Sequence, residues 1–286
     1  MTTPVEVAEA HYRAQARQGE AAAALVRRVW RGGMGDELDA TWARIVRRLA
    51  VIVGSAQLGA ARAGAAYVPA ALDADSDVLG EVNPHRFALV AADGRPLESL
   101  LYSAVVRAKT HLGAGESMPE ALGAGGKWLE AIARTQVADA GRGAAGVAIT
   151  ARPRTGWVRF VSPPCCKDCA VLAGRWYRWS AGFQRHHRCD CVHLPAGEGD
   201  MPEGYRADID PDQIHDLTEA ERKALAEGAD LGRVVNSQRG AAKDRMTTTA
   251  GPGPREGARL TPDGIYQRAG SRDEAVDLLR QHGYLI

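Results

Sequence analysis

Cysteine is missing from the first 164 residues and from everything after Cys191, so all five cysteines fall in one short window, Cys165 to Cys191. Aromatics are scarce at 6%, and Ala and Gly dominate in their place. Lysine is rare beside arginine. No excess of one charge exists: the net charge is +1, which by itself points to no partner and suits a protein that packs into an assembly. Unbroken apolar runs are short. Leu49 to Val53 and Phe87 to Ala92 are far too short to span a bilayer, so no membrane partner is expected. The start, Met1-Thr2-Thr3-Pro4-Val5-Glu6, has neither the basic nor the apolar part of a signal peptide. The expected setting is therefore a reducing cytoplasm, where thiols stay free or bind metal. Also absent are a Gly-x-Ser-x-Gly elbow, a Walker A loop, a Gly-x-Gly-x-x-Gly turn and a His-Glu-x-x-His pair, and no internal repeat is seen. These absences point away from the common hydrolases and nucleotide enzymes, and no enzyme activity is expected.

What is present is mainly helical pattern. Leu38, Trp42, Ile45, Leu49, Ile52 and Ala56 recur in steps of three and four, which keeps one helix face apolar, and Asp36 can cap that helix. An Ala-rich helix is expected before it, from about Val5 to Trp30. Asp73 to Asp77 reads as a loop. A second helical block runs from Pro96 to Ala140. In it Leu97, Leu100, Leu101, Val105 and Leu112 suit one helix, and Ser117 with Glu120 is a capping-box signature for the next. The glycines from Gly141 to Gly146 are expected to end that helix. Trp157 to Val161 and Arg175 to Trp179 carry strand signals on either side of a cysteine turn. Residues 198–221 hold nine acidic residues against Arg206. Residues 232–259 reverse the balance, include Gly251-Pro252-Gly253-Pro254, and read as a flexible basic arm. Thr261-Pro262 and Ser271 with Glu274 open two closing helices. The expected class is α+β, mostly helical, with a small Cys/His-rich β-hairpin subdomain.

The chemistry gathers in that hairpin. Cys165-Cys166-x-x-Cys169 is followed by His186-His187-x-Cys189-x-Cys191-x-His193. A Cys-x-x-Cys turn brings two sulfurs to one point, and a pair on the returning arm can complete a tetrahedron about zinc. The preferred ligands are Cys166, Cys169, His186 and Cys189, with Cys165, His187, Cys191 and His193 as alternates. Three states of the cluster stay open: a structural zinc, packed thiols, or a disulfide in a particle outside the cell.

Two further patterns compete with simpler readings. Asp208, Asp210, Asp212, Asp216 and Glu219 fall at calcium-loop spacing, but Gln213 stands where such a loop needs glycine, and Thr218 with Glu221 explains the same stretch as a helix start. Arg159, Arg175, Trp176, Arg178 and Trp179 interleave cations with aromatics. They suit either a nucleic-acid or partner contact, or a small aromatic core with its arginines outward.

Ala133-Arg134-Thr135-Gln136, then Cys166-x-x-Cys169, then His186-His187-Arg188-Cys189-Asp190-Cys191 and Pro195, together resemble the MuF-like head morphogenesis domain of tailed phages. The resemblance covers residues 96–196 well and 197–286 loosely. It departs from the family pattern at Gln136 (usually Glu), at His187 (usually Pro) and in the extra thiol Cys165. It implies the head morphogenesis domain over 96–196; the residue patterns add a helical N-terminal region over 1–95 and an acidic linker, basic arm and helices over 197–286. It also implies a minor capsid protein of the virion head, assembled in the host cytoplasm. Its partners would be portal and capsid proteins, with packaged DNA as a further contact. Arg134, Thr135 and Gln136 would then be structural. A DNA-binding virion protein is the first alternative, and a metal-dependent hydrolase or capsid maturation protease the second.

Overall fold

The computed structural model describes residues 2–72, 78–186, 189, 191–237 and 259–286. The loop expected at Asp73 to Asp77, His187, and most of the basic arm lie outside the described residues.

Three long helices form the frame. Helix α1 spans Pro4–Gly33. Thr3 accepts a hydrogen bond from the Glu6 amide, and the Glu6 carboxylate accepts from the Thr3 amide, so two otherwise free N–H groups of the first turn are satisfied reciprocally. Helix α2 spans Leu38–Leu72, and its expected stripe faces inward: Leu38, Trp42, Ile45 and Leu49 are buried, and Ile52 and Ala56 half-buried. The Asp36 carbonyl accepts from the Leu38 amide and the Glu37 carbonyl from the Thr41 amide, so the start of α2 is held by backbone bonds and not by the side-chain cap expected of Asp36. One window of α2 is long and apolar enough to cross a membrane by length and composition, with a mean hydropathy of 1.3. Part of that apolarity is used inside the protein, where α2 packs on α1 and α5: 44% of the window is buried.

Helix α5 spans Met118–Thr150, longer than expected. The glycines from Gly141 to Gly146 do not end it. They let backbones touch: a Cβ on Gly64 of α2 would lie 2.3 Å from the Gly141 carbonyl oxygen, and one on Gly141 would lie 2.1 Å from Gln15 Oε1 of α1. Close packing at this crossing offsets the weak helix preference of glycine. The block before α5 is split at Tyr102 into α3 (Leu97–Leu101) and α4 (Ser103–Gly113), and α4 lies along α5.

The fold is α+β, mostly helical with one small antiparallel sheet. That sheet has three strands where a hairpin was expected: β1 (Thr155–Phe160), β2 (Trp176–Tyr177) and β3 (Val192–Gly197), in the order β2-β1-β3. A short helix, α6 (Lys167–Ala170), lies between β1 and β2. Trp157 pairs with Pro195, and Arg159 with His193. All six residues of the central strand are buried, so the expected outward arginine face does not exist there. Trp157 stacks on Tyr177 at 4.3 Å and on Phe183 at 5.1 Å. The Tyr67 hydroxyl of α2 donates to the His193 carbonyl at 2.5 Å and ties sheet to helices.

The acidic stretch lies on this unit. Ile214 is fully buried, and Cys165 exchanges backbone bonds with Gln213 and His215. Helices α7 (Glu219–Ala226) and α8 (Leu231–Ser237) follow. Helices α9 (Pro262–Arg268) and α10 (Arg272–Gln281) bury Ile265, Tyr266, Val276 and Leu279 in a core shared with Phe87 and Val147.

Candidate metal centre

The cysteine turn is built by α6. Cys166 is its N-cap, and its sulfur accepts from the Cys169 amide at 3.4 Å, which brings both side chains to one end of a single helical turn. The Asp216 carboxylate accepts from the Lys167 amide at 2.6 Å and holds the turn from outside. Lys167 Nζ pairs at 2.8 Å with the buried Glu221, which also closes the α7 capping box with Thr218. Two of the five acidic residues read above as a calcium-loop pattern are thus used elsewhere: Asp216 here, and Asp210 in capping the Asp212 amide at 2.9 Å.

Opposite the turn stand His186, Cys189 and Cys191. His186 Nε2 lies 3.0 Å from Cys166 Sγ and 3.1 Å from Cys169 Sγ, and Cys169 Sγ lies 3.7 Å from Cys189 Sγ. The donors form two overlapping triads, Cys166–Cys169–His186 and Cys169–Cys189–Cys191, each with all donor atoms within 4.8 Å. The expected quartet is therefore gathered in part. Cys166, Cys169 and His186 make one group, while Cys189 joins it only through Cys169 and brings Cys191 along. Residues two apart on an extended chain face the same side, which is why Cys191 arrives with Cys189. Of the alternates, Cys165 and His193 are buried but belong to neither triad. His193 instead packs against Trp157 and Phe183. His187 is outside the described residues.

The cluster could hold a metal ion. About a zinc ion, tetrahedral edges would be about 3.8 Å between sulfurs and about 3.6 Å between sulfur and nitrogen. The Cys169–Cys189 separation meets this, and the imidazole would have to retreat by about half an ångström. The protons are divided unevenly among the sulfurs. The Cys166 thiol is brought down to about 5, first by the hydrogen bond with Cys169 and then by His186. Cys169, sharing its bonds with Cys166 and Cys189, is pushed up. Cys189 is pulled down by its bonds to Cys169 and Cys191, with the guanidiniums of Arg142 and Arg159 adding to the effect. Cys191 is favoured as an anion by its bond to Cys169, but Cys189 and burial outweigh this and push it up.

Two arginines that no pattern along the chain marks as internal lie under the cluster. Arg142 of α5 is buried, bonds Asp139 at 2.6 Å, and donates to the carbonyls of Cys189 and Cys191 at 3.0 and 3.1 Å. Arg159 of β1 is fully buried, donates to the Gln184 carbonyl, and lies 4.1 Å from the Phe183 ring centroid. Arg159 therefore cannot be a surface contact. The other members of that set divide: Arg175 and Arg178 are exposed and Trp176 and Trp179 half-buried. Trp176 Nε1 donates to the Gly197 carbonyl at 3.2 Å. Trp179 meets Tyr266 edge-on, with Arg272 over its ring.

The Arg134 motif lies on α5. Arg134 grips Glu20 of α1 with two bonds, at 2.5 and 2.9 Å. Thr135 is buried and donates to the Ala131 carbonyl at 2.9 Å. Gln136 Oε1 accepts from the Ala92 amide at 2.8 Å, and Gln57 bonds both Leu89 and Val90. The two glutamines thus satisfy the backbone of an irregular segment without charge: Gln136 with its oxygen alone, Gln57 with both its oxygen and its NH2 group. A cleft of about 480 Å³ is lined by Gln15, Glu20, Arg134 and Cys189 among others, so motif and cluster share one hollow.

No curated protein and no solved structure matches this chain. A sequence model of the VG15 protein family matches residues 1–220, and with more than half its length so covered the chain belongs to that family of phage proteins.

Proposed function

We propose that this chain is a non-enzymatic minor head protein of a tailed phage, MuF-like in kind, with portal and capsid proteins as partners and the virion head as its destination. Membership of a phage protein family over residues 1–220 carries the phage part of this reading. The head role rests on the motif resemblance, and two of its parts meet in space: the Cys-x-x-Cys turn and the Cys189–Cys191 arm. The cluster is read as a zinc staple. Its donors bridge α6 to the arm entering β3, and three of its sulfurs are buried, which suits a closed structural site better than one open to substrate. Phage lysates separated on density gradients test the role. The protein is expected to travel with portal-containing heads, and deletion of its gene to reduce infectious particles. Fully infectious particles without it would reject the reading.

One observation favours a second reading, contact with packaged DNA, but through a different surface from the expected one. Arg44, Arg47, Arg48 and Arg62 are exposed on α2 at spacings that share one side of the helix, and none has a carboxylate partner among the described residues. Such a stripe would bind a polyanion with steep salt dependence. A gel shift at low salt that vanishes when Arg44, Arg47 and Arg48 are changed to Ala is the expected result. An undiminished shift would remove this reading.

A further inference from the structure

Among the described residues near the cluster, three arginines face two buried carboxylates, Asp139 and Asp263. Arg142, Arg159 and Arg185 converge there, with side chains buried or nearly so. Asp139 is the carboxylate they share: Arg142 and Arg185 each reach it at 2.6 Å. Arg159 is fully buried, and its Nε and Nη1 find no hydrogen-bond acceptor among the described residues. A guanidinium does not lose its proton in a protein, so it cannot escape the cost of burial by becoming neutral. An unpaired buried charge costs several kcal/mol. Arg159 pairs across β1 and β3 with His193, two residues past Cys191, so its side chain lies beside the cysteine arm, with Cys191, Cys189 and Cys169 near it and Tyr177, the Gln184 carbonyl and the Phe183 ring as its other neighbours.

We infer that the cluster is a thiolate-rich, net-negative metal centre and that Arg159 is its built-in counter-ion, seconded by Arg142. A divalent ion held by three thiolates and one imidazole carries one negative charge, and four thiolates would carry two. Neutral thiols carry none and would leave Arg159 with the Gln184 carbonyl and the Phe183 ring but no anion among the described residues. The ligand set is the one expected from the spacing, Cys166, Cys169, His186 and Cys189. Cys191, which shares the second triad with Cys169 and Cys189, would be the fifth donor, outside the metal's four bonds. Arg142 contributes in two ways, by charge and by holding the Cys189 and Cys191 carbonyls, which fixes the arm that carries the fourth ligand. Arg159 is thus a positioning and charge-balancing residue. Outer groups of this kind typically change metal affinity by about 10- to 100-fold.

This inference rests on the zinc-staple reading, and the two can fail separately. The full-length chain, made in zinc-containing medium, is expected to carry one zinc, with an X-ray absorption edge fitting three sulfurs and one nitrogen. In the cobalt-substituted protein, Cys189→Ser should cut the sulfur-to-cobalt charge-transfer band, while Cys191→Ser should leave it unchanged. A chain without metal overturns staple and counter-ion together. A retained zinc whose affinity, measured by competition with a chromophoric chelator, is the same in Arg159→Leu as in wild type overturns the counter-ion alone. The expected result is weakening by about 10- to 100-fold in Arg159→Leu and only a few-fold in Arg159→Lys. Should the leucine variant not fold, Arg159→Lys decides: affinity lost as completely as in Cys169→Ser would mean that shape and not charge is what matters.

Discussion

Buried histidines are the residues most sensitive to conditions. His11 stacks on Tyr67 with ring centroids 4.3 Å apart, and burial brings its pKa from 6.5 down to about 4. The folded protein thus holds His11 neutral at pH values where an unfolded chain would charge it. The sign follows: this contribution is complete above about 6.5 and is lost as the pH falls toward 4, up to about 3 kcal/mol. His11→Phe, which keeps the stack, should show a flatter loss of denaturation midpoint between pH 7 and 4.5 than wild type. Equal slopes would refute the assignment. Arg134 is a contrasting case. Its grip on Glu20 is bidentate, but the two side chains are 36% and 64% exposed, so solvent screening limits the pair to about 0–1 kcal/mol. Arg134→Ala should fold with nearly wild-type stability in urea titration. If it nonetheless disturbs head assembly, Arg134 faces a partner, and an unfolded variant would show that this estimate is wrong. A structural role for Arg134 was expected, but neither residue's partner was legible in the sequence, because each lies far along the chain.

At the level of elements, local signals were readable and packing signals were not. The stripe from Leu38 to Leu49, the capping pairs Ser117–Glu120 and Thr218–Glu221, and the caps at Thr261 and Ser271 all stand where their spacing places them. Each is set within a few residues. The glycines of α5 misled, because their use is to let α2 and α1 approach, and those helices lie over 70 residues away. The third strand was missed because Val192 to Gly197 contains Pro195 and follows directly on the cysteines. The difference between packed and free glycine can be measured within α5 and its partner. Gly64→Ala would drive a methyl into the Gly141 carbonyl and should cost about 1–3 kcal/mol or more. Gly123→Ala, with nothing within 4 Å, should gain up to about 1 kcal/mol. Thermal midpoints moving in the same direction for both would contradict the close crossing.

For the molecule as a whole, the cluster is a joint within the sheet unit, between α6 and the arm entering β3, and Arg142 ties that arm to α5 of the helical frame. Removing metal with a chelator at neutral pH should loosen residues 155–221 first, seen as amide exchange quickening there while α1, α2 and α5 stay protected. Uniform loosening would mean that the frame and the sheet unit open together. The general plan, helices followed by a cysteine-bearing sheet, was visible in the order of patterns along the chain. The buried arginines beneath the joint were not, since an arginine beside a tryptophan in a strand reads the same whether it faces water or sulfur.

The bond from Tyr67 to the His193 carbonyl joins positions 126 residues apart. Bringing such distant points together carries a loop-closure cost that local helix formation does not. During synthesis, α1, α2 and α5 can dock as soon as residue 150 is made, whereas the thiols must wait for Asp216 and Glu221 before their turn is held. A nascent chain therefore passes through an interval in which five reactive sulfurs are open to the solvent beside an already finished helical frame.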